Sequence, residues 1–158
     1  MTIDVLAADV IAALKYKNMT LATAESCTGG GVGHILTSVP GSSCVYLGGV
    51  ISYANSAKQD ILGVTADTLS NWGAVSAQTA EQMAKGVRRL LGADVAVAIT
   101  GIAGPASDDT NKPVGLVYIC AASQEGVTVK ENHFSGSREE VREQSIFAAL
   151  KMILGLCK

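Results

Sequence analysis

The sequence has few aromatic and few charged residues, and both shortages narrow the class of protein it can encode. Aromatic side chains make up 4% of the 158 residues and charged side chains 16%, whereas hydrophobic residues reach 48%. A core of Ala, Val, Ile and Leu suits a layered α/β domain better than an aromatic-rich β-sandwich. The length fits a single domain over residues 1–158 with a substantial core.

Basic clusters are also missing. Lys and Arg number 12 against 14 Asp and Glu, and no basic run is longer than Arg88-Arg89. Surfaces that bind nucleic acid or anionic membranes normally carry a basic patch, so neither partner is expected. No apolar run approaches the ~20 residues of a membrane span. Segment 1–14 carries Asp4 and Asp9 where a secretory signal has basic residues, so we expect a cytoplasmic protein.

Potential metal ligands are scarce as well. The two histidines stand alone, and the four cysteines are scattered without a C-x-x-C pair. This spacing is typical of free thiols in a reducing cytosol rather than of a disulfide framework or a zinc site. We therefore expect neither a metal nor another cofactor.

The spacing of apolar residues predicts alternating helices and strands. The predicted helices cover 3–17, 28–39, 56–62, a segment from a cap at Ser76 to Gly92, and a last helix opened by the Ser137–Glu140 capping box. The predicted strands cover 20–24, 44–53, 94–100 and a hairpin, 114–123 with 127–135, that follows a loop over 101–112. Helices between strands imply parallel crossovers. We predict a three-layer α/β/α sandwich around a mixed, mostly parallel sheet with a hairpin near the C-terminus.

The stretch TAESCTGGGVG, 23–33, places a serine between a predicted strand and a predicted helix. Backbone N–H groups at a helix N-terminus are unpaired and favour an anion, either a phosphate or the oxyanion of acyl transfer. Glycines there let a ligand approach the main chain. Ser26 is therefore a candidate nucleophile; the alternative is that Ser26 or Thr28 only caps the helix. The stretch is not a Walker A loop, because no Gly-Lys-Ser/Thr follows.

A lysine in SYANSAKQDILGV, 52–64, is a candidate base. If Asn55 or Ser56 caps the short helix, Lys58 lies in its first turn, where the dipole lowers the pKa of a lysine. A neutral lysine can activate a serine only if its pKa falls from ~10.4 toward ~7–8. The alternative is a solvated surface lysine.

Two further segments suggest ligand contacts. ITGIAGP, 99–105, leaves a buried strand at its carboxyl end, where α/β proteins usually bind ligands, although an ordinary turn also fits. Arg138 lies in the first turn of the last helix, a poor place for a cation unless an anion binds there. The alternative for Arg138 is an exposed, solvated side chain.

Several short motifs, in this order, resemble the C-terminal domain of the competence/damage-inducible protein CinA. They are AESCTGG, Y-x-N-x-A-K ending in LGV, GAVS at 73–76, TGIAGP, KPVG at 112–115 and FSG-x-R at 134–138. The resemblance runs from about residue 5 to the end of the sequence.

The resemblance implies a nicotinamide-nucleotide amidohydrolase, which converts nicotinamide mononucleotide to nicotinate mononucleotide and ammonia without a metal, in pyridine nucleotide salvage. It implies that Ser26 attacks the carboxamide carbon, that Lys58 is its base, and that Tyr53 assists as a proton relay. An acyl-enzyme ester is then hydrolysed. The residues expected at the substrate are Thr28, Gly29, Gly30, Ser42, Ser43, Asn55, Thr100, Gly101 and Arg138.

Among these, helix N-terminal amides and Arg138 are expected at the phosphate, and Ser42, Ser43 and Thr100 in the pocket or oxyanion hole. A homo-oligomer is also expected. The family commonly has an acidic residue where this chain has Ser56, and larger CinA proteins carry an N-terminal domain, resembling molybdopterin-binding proteins, that this sequence lacks. Two other functions stay open: a non-catalytic nucleotide-binding module and an amidase for another small amide.

Overall fold

The computed structural model describes residues 1–107 and 110–158. In this part of the chain five strands form one sheet in the order β2-β1-β3-β4-β5. The strands are β1 (Leu21–Glu25), β2 (Tyr46–Ile51), β3 (Val95–Gly101), β4 (Leu116–Ser123) and β5 (Gly126–His133). β1 pairs in parallel with β2 and β3, whereas β4 is antiparallel to both β3 and β5. All strands except β4 therefore run in one direction, which confirms the predicted mixed, mostly parallel sheet with its hairpin.

Helices cover both faces of this sheet, as the predicted α/β/α class requires. They are α1 (Ile3–Lys17), α2 (Gly31–Thr37), α3 (Asn55–Asp60), α4 (Ala66–Trp72), α5 (Ala77–Leu91) and α6 (Arg138–Leu156). α1, α2 and α6 pack on one face, and α5 packs on the other. Within the two described ranges, no helix has both the length and the hydropathy needed to cross a membrane.

The central strand β3 shows how the sequence divides the core between the two faces. Val97 and Ile99 point into the cluster with α1 and α6, whereas Ala96 and Ala98 point into the cluster with α5. All four side chains are fully buried. Because alanine is small, α5 can pack closely against the sheet, and larger side chains fill the opposite face.

The observed boundaries differ from the predicted ones near the glycine-rich turn and at the second strand. The helix predicted over 28–39 spans only Gly31–Thr37, because Gly30, in the left-handed region, precedes its first residue. The strand predicted over 44–53 is limited to Tyr46–Ile51, after a single 3-10 turn at Ser42–Cys44.

Another difference is α4, which the sequence pattern did not predict. Its Thr65 cap is regular, but Thr68 is its only buried residue, so α4 has no apolar stripe to recognise. The loop predicted over 101–112 begins within β3, since Gly101 ends that strand, and its residues Asp108 and Asp109 lie outside the described ranges.

We predict that Gly86→Ala in α5 destabilises the protein. A Cβ at Gly86 would lie 1.9 Å from the carbonyl oxygen of Leu62, so α5 must move away from the turn that follows α3. Overpacking of this kind costs about 1–3 kcal/mol of unfolding free energy, measurable by urea denaturation.

Gly155→Ala in α6 is the matched control, because a Cβ there meets nothing within 4 Å. Alanine is the better helix former by up to about 1 kcal/mol, so this variant should be as stable as the parent or more so. Equal stability of the two variants would contradict the close contact between α5 and Leu62.

Candidate active site

A cleft of about 260 Å³ opens at the edge of the sheet where the parallel strands end. Ser26 directly follows β1, Tyr53 follows β2, and Thr100 lies near the end of β3. Because these strands are parallel neighbours, their carboxyl ends meet at one edge. The predicted residues in the cleft lining are Ser26, Tyr53, Asn55, Lys58, Thr100, Gly101 and Arg138.

The buried amine of Lys58 lies in the lining of this cleft and contacts three oxygen atoms. Its Nζ lies 3.1 Å from Ser26 Oγ, 2.8 Å from the carbonyl oxygen of Ser52 and 3.2 Å from that of Tyr53. A neutral amine has two N–H donors and one lone pair. When the two carbonyls accept both donors, the lone pair is left for the Ser26 hydroxyl proton.

Burial lowers the pKa of Lys58 to about 8, because the charged form loses its hydration. Only 1% of the residue is exposed, so the alternative of a solvated surface lysine is wrong. The helix cap predicted at Asn55 or Ser56 is also wrong. α3 begins directly after Ala54 with no side-chain cap, and the cause of the lowered pKa is burial rather than the helix dipole.

Cys27, beside the serine, is a much weaker candidate nucleophile. Burial raises the pKa of its thiol to about 11, so the thiolate is scarce at neutral pH. The side chain packs in the main apolar cluster, and it is 6% exposed. The geometry therefore favours Ser26 as the residue that Lys58 activates.

The N-terminus of α2, expected to bind a substrate anion, already holds a carboxylate of the chain itself. Glu25 accepts hydrogen bonds from the N–H groups of Val32 and Gly33 at 2.9 and 3.1 Å, and from Thr28 Oγ1 at 2.6 Å. This buried side chain fills the positive end of the helix. The sequence signal for this contact is the position of Glu25, a carboxylate directly before a glycine-rich turn and a helix.

The glycine-rich turn thus lies outside the cleft that it was expected to line. Thr28 is fully buried against Glu25, and neither Thr28, Gly29 nor Gly30 borders the cleft. Gly30 is the residue at the N-cap position, so the alternative of an N-cap at Ser26 or Thr28 is wrong as well.

Arg142 holds this turn from the other side. Its guanidinium, on α6, donates to the carbonyl oxygens of Cys27 and Thr28 at 3.1 and 3.2 Å. Two donors on one rigid group fix the main chain immediately after Ser26. No local sequence pattern indicates this role, because the contact joins residues more than a hundred positions apart.

Arg138 and Tyr53 meet at the mouth of the cleft. The guanidinium donates to the carbonyl oxygen of Gly104 at 2.6 Å and to the Tyr53 hydroxyl at 3.1 Å. Tyr53 therefore has two separate contacts: its carbonyl binds Lys58, whereas its side chain, 62% exposed, binds Arg138. Asn55, the first residue of α3, is exposed beside them.

Of the remaining predicted residues, two lie at the cleft and two lie away from it. Thr100 Oγ1 donates to the carbonyl of Ala74 at 2.7 Å, and Gly101 is required by packing, because a Cβ there would lie 2.6 Å from Val117 Cγ2. Ser42 and Ser43 precede β2, at the opposite edge of the sheet from Ser26. The structure does not bring these two serines to the cleft.

Among residues 1–107 and 110–158, no group of three or more histidine, cysteine or carboxylate side chains is placed to share a metal ion. The cleft lining itself brings together the hydroxyl of Ser26, the amine of Lys58 and main-chain donors. This set is typical of acyl transfer through a covalent intermediate.

A family model for the CinA C-terminal domain matches residues 3–157. The chain belongs to the CinA C-terminal domain family. Its curated relatives include the CinA-like protein of Synechococcus sp. (strain RCC307), 49% identical over 152 residues, which cover 95% of this chain and 36% of that protein. The CinA-like protein of Thermotoga maritima is 45% identical over 142 residues, covering 90% and 35% respectively. The chain spans about a third of the length of the curated relatives it matches.

Solved CinA structures share the whole fold. The competence/damage inducible protein CihA of Agrobacterium tumefaciens is 42% identical and superimposes with a TM-score of 0.95, covering 99% of this chain and 96% of its own. A CinA superfamily protein of Escherichia coli is 32% identical with a TM-score of 0.95, covering 98% and 90%. The α/β/α architecture around the cleft is therefore that of the CinA C-terminal domain.

We predict that Glu25→Gln weakens the turn that carries Ser26. Glutamine keeps one acceptor oxygen but turns an NH₂ group toward the N–H of Gly33, and it removes the negative charge at the end of α2. The free energy of unfolding should fall by about 1–3 kcal/mol in urea denaturation.

Glu143→Gln provides the charge-matched control, because this glutamate is exposed on α6. Its effect should stay within about 0.5 kcal/mol. A Glu25→Gln protein as stable as this control would show that the carboxylate does not hold the turn.

Proposed function

We propose that this protein is an amidohydrolase that converts nicotinamide mononucleotide to nicotinate mononucleotide and ammonia, with Ser26 as nucleophile and Lys58 as base. The observation that carries the proposal is the buried contact of 3.1 Å between Lys58 Nζ and Ser26 Oγ at the carboxyl edge of the sheet. A hydroxyl within hydrogen-bond distance of a desolvated amine is the arrangement that a serine nucleophile and a lysine base require, and it supports the proposal.

The contacts of Lys58 suit it for each proton transfer of the reaction. In the first, the neutral amine takes the Ser26 proton as Oγ attacks the carboxamide carbon. The resulting ammonium has three donors, and the carbonyls of Ser52 and Tyr53 accept two of them. The third N–H can protonate the leaving nitrogen, so ammonia departs and an ester to Ser26 remains. Lys58, again neutral, then takes a proton from the water that attacks the ester and returns this proton to Ser26 Oγ as the acyl bond breaks. The serine and the neutral amine are thereby regenerated, and the product acid loses its proton to solvent to give the carboxylate.

The main chain after the serine can stabilise the oxyanion. The N–H of Cys27 donates to no oxygen in the described part of the chain, while the Cys27 carbonyl is held by Arg142. In acyl-transfer enzymes with a serine at a strand-to-helix turn, the N–H after the nucleophile supplies one donor of the oxyanion hole. We assign the same role to Cys27 N–H here.

The mouth of the cleft supports a phosphorylated substrate. Arg138 lines it, and the Tyr53 hydroxyl that it contacts is a neutral acceptor that a phosphate can replace. Glu25 fills the nearby helix end, so among the residues predicted to bind the phosphate, Arg138 is the one that borders the cleft. The implied activity of the CinA C-terminal domain family agrees with such a substrate.

We predict that Ser26→Ala abolishes ammonia release from nicotinamide mononucleotide, lowering kcat by at least about 10³-fold, because Lys58 contacts no other hydroxyl in the part of the chain that the structure describes. Cys27→Ala is the control. Since the pKa of that thiol is raised to about 11, its loss should leave ammonia release largely intact. Ammonia is measured by a coupled dehydrogenase assay, and the covalent ester is sought by mass spectrometry of the denatured protein.

Two results would reject the proposal in different ways. Undiminished turnover by a folded Ser26→Ala protein would exclude Ser26 as nucleophile. Tight binding of nicotinamide mononucleotide without any ammonia would instead identify a non-catalytic nucleotide-binding module. A panel of other small amides decides whether the carboxamide of this nucleotide is the substrate.

The pH dependence of kcat/KM gives an independent prediction. Lys58 acts in its neutral form, so kcat/KM should rise with pH and reach half its maximum near the lowered pKa of about 8. Lys58→Arg should be inactive across this range, because a guanidinium stays charged. A flat profile between about pH 6 and pH 9, with chemistry rate-limiting, would contradict a neutral lysine base.

A further inference from the structure

Residues 72–75, here termed the 72–75 wall, join α4 to α5 and form one side of the cleft. Ala74 and Val75 line the cleft directly. The wall includes part of the GAVS motif at 73–76, which the proposed function leaves without a role. The same is true of the KPVG motif, whose Lys112 reaches this wall.

Every carbonyl of the 72–75 wall accepts a hydrogen bond from a side chain. The donors are Lys112 for the carbonyls of Trp72 and Val75, Ser76 and Thr79 for that of Gly73, and Thr100 for that of Ala74. Lys112 Nζ is 2.6 Å from the oxygen of Trp72, so a single ammonium holds both ends of the wall. Four successive carbonyls fixed in this way leave the peptide planes little freedom to rotate.

The N–H groups of the wall show the opposite pattern. Those of Ala74 and Val75 donate to no acceptor in the described part of the chain. Val75 is 6% exposed and Ala74 is half-buried, and main-chain N–H groups in such places are paired with protein, water or a ligand. Two successive unpaired donors on the lining of a cleft indicate that a ligand oxygen completes them.

Gly73 shows that the wall and Lys112 fit one another closely. Its φ of +84° lies in the region that favours glycine, and a Cβ there would lie 3.0 Å from Lys112 Nζ. A larger residue at 73 would therefore strain the main chain and crowd the ammonium. The requirement links the GAVS and KPVG motifs physically.

We propose that the N–H groups of Ala74 and Val75 bind an oxygen of the substrate, and that Lys112 is the positioning residue that holds them in place. The proposal rests on the proposed function for the identity of that substrate. Lys112 does not line the cleft, so it acts on the substrate only through the main chain of the wall. Its loss should therefore weaken binding and leave the Ser26–Lys58 pair unchanged.

The test compares Lys112→Met with Lys112→Arg. Methionine keeps much of the side-chain length but has no donor, whereas arginine retains charge and donors. Lys112→Met should raise KM for nicotinamide mononucleotide about tenfold, with kcat within about twofold, because hydrogen bonds from a charged group are lost. Lys112→Arg should restore KM at least in part. Lys85→Met, which removes an exposed lysine paired with Glu81, is the control and should leave KM unchanged.

A second readout separates positioning from general structural damage. A small sulfonyl fluoride reacts with an activated serine, and its rate at Ser26 should be the same, within about twofold, in Lys112→Met and wild type. If that rate falls together with binding, or if kcat falls while KM is unchanged, the assigned role of Lys112 is wrong.

Failure of the proposed function can be distinguished from failure of this inference. If wild type releases no ammonia, calorimetry still tests whether the 72–75 wall binds the nucleotide. It compares the Kd of nicotinate mononucleotide for Ser26→Ala and for Ser26→Ala/Lys112→Met. A Kd about tenfold weaker in the double variant supports the 72–75 wall as a binding surface even without catalysis. Equal affinities, or no binding by either variant, overturn it.

Discussion

An ammonium at Lys58 is unfavourable because the side chain is enclosed and its hydrogen-bond partners are neutral oxygens. Two of these are main-chain carbonyls at the end of β2, and the third is the hydroxyl of Ser26. Glu25, the carboxylate directly before Ser26, accepts hydrogen bonds from α2 and forms no ion pair with the Lys58 amine. Had that carboxylate faced Lys58, it would have raised the pKa of the lysine and weakened it as a base.

The separation of Glu25 from Lys58 depends on the length of β1. Glu25 ends the strand, and its side chain lies on the face covered by α2, whereas Ser26, one residue later, borders the cleft. Arg142 then fixes the main chain that follows from the far side. One strand end thus supplies both a buried carboxyl group that binds α2 and a hydroxyl that contacts Lys58, on opposite sides of the same turn.

Much of the fold follows from local pattern, as β3 and α5 illustrate. The run DVAVAIT and the stripe of Ala80, Met83, Ala84 and Val87 indicate a two-sided strand and an amphipathic helix from sequence alone. Ser26 and Lys58 form the expected contact, but the cause of the lowered pKa of Lys58 is not the expected one. The sequence suggested a helix dipole, whereas the pKa is lowered by burial, which depends on packing among distant segments. The contacts of Glu25, Arg142 and Lys112 were missed for the same reason, since each joins elements whose proximity only the tertiary structure establishes.

The two carbonyls that hold Lys58 have a consequence for how the site tolerates sequence change. They belong to the peptide groups of Ser52 and Tyr53, and every amino acid has such a group. Side-chain substitutions at these two positions therefore leave the acceptors of the Lys58 amine in place, provided that the path of the chain is kept. In many hydrolases the orienting acceptor is an aspartate that a single mutation removes. Here the acceptors that orient Lys58 belong to the backbone, so substitutions among the surrounding side chains can change the lining of the cleft without removing them.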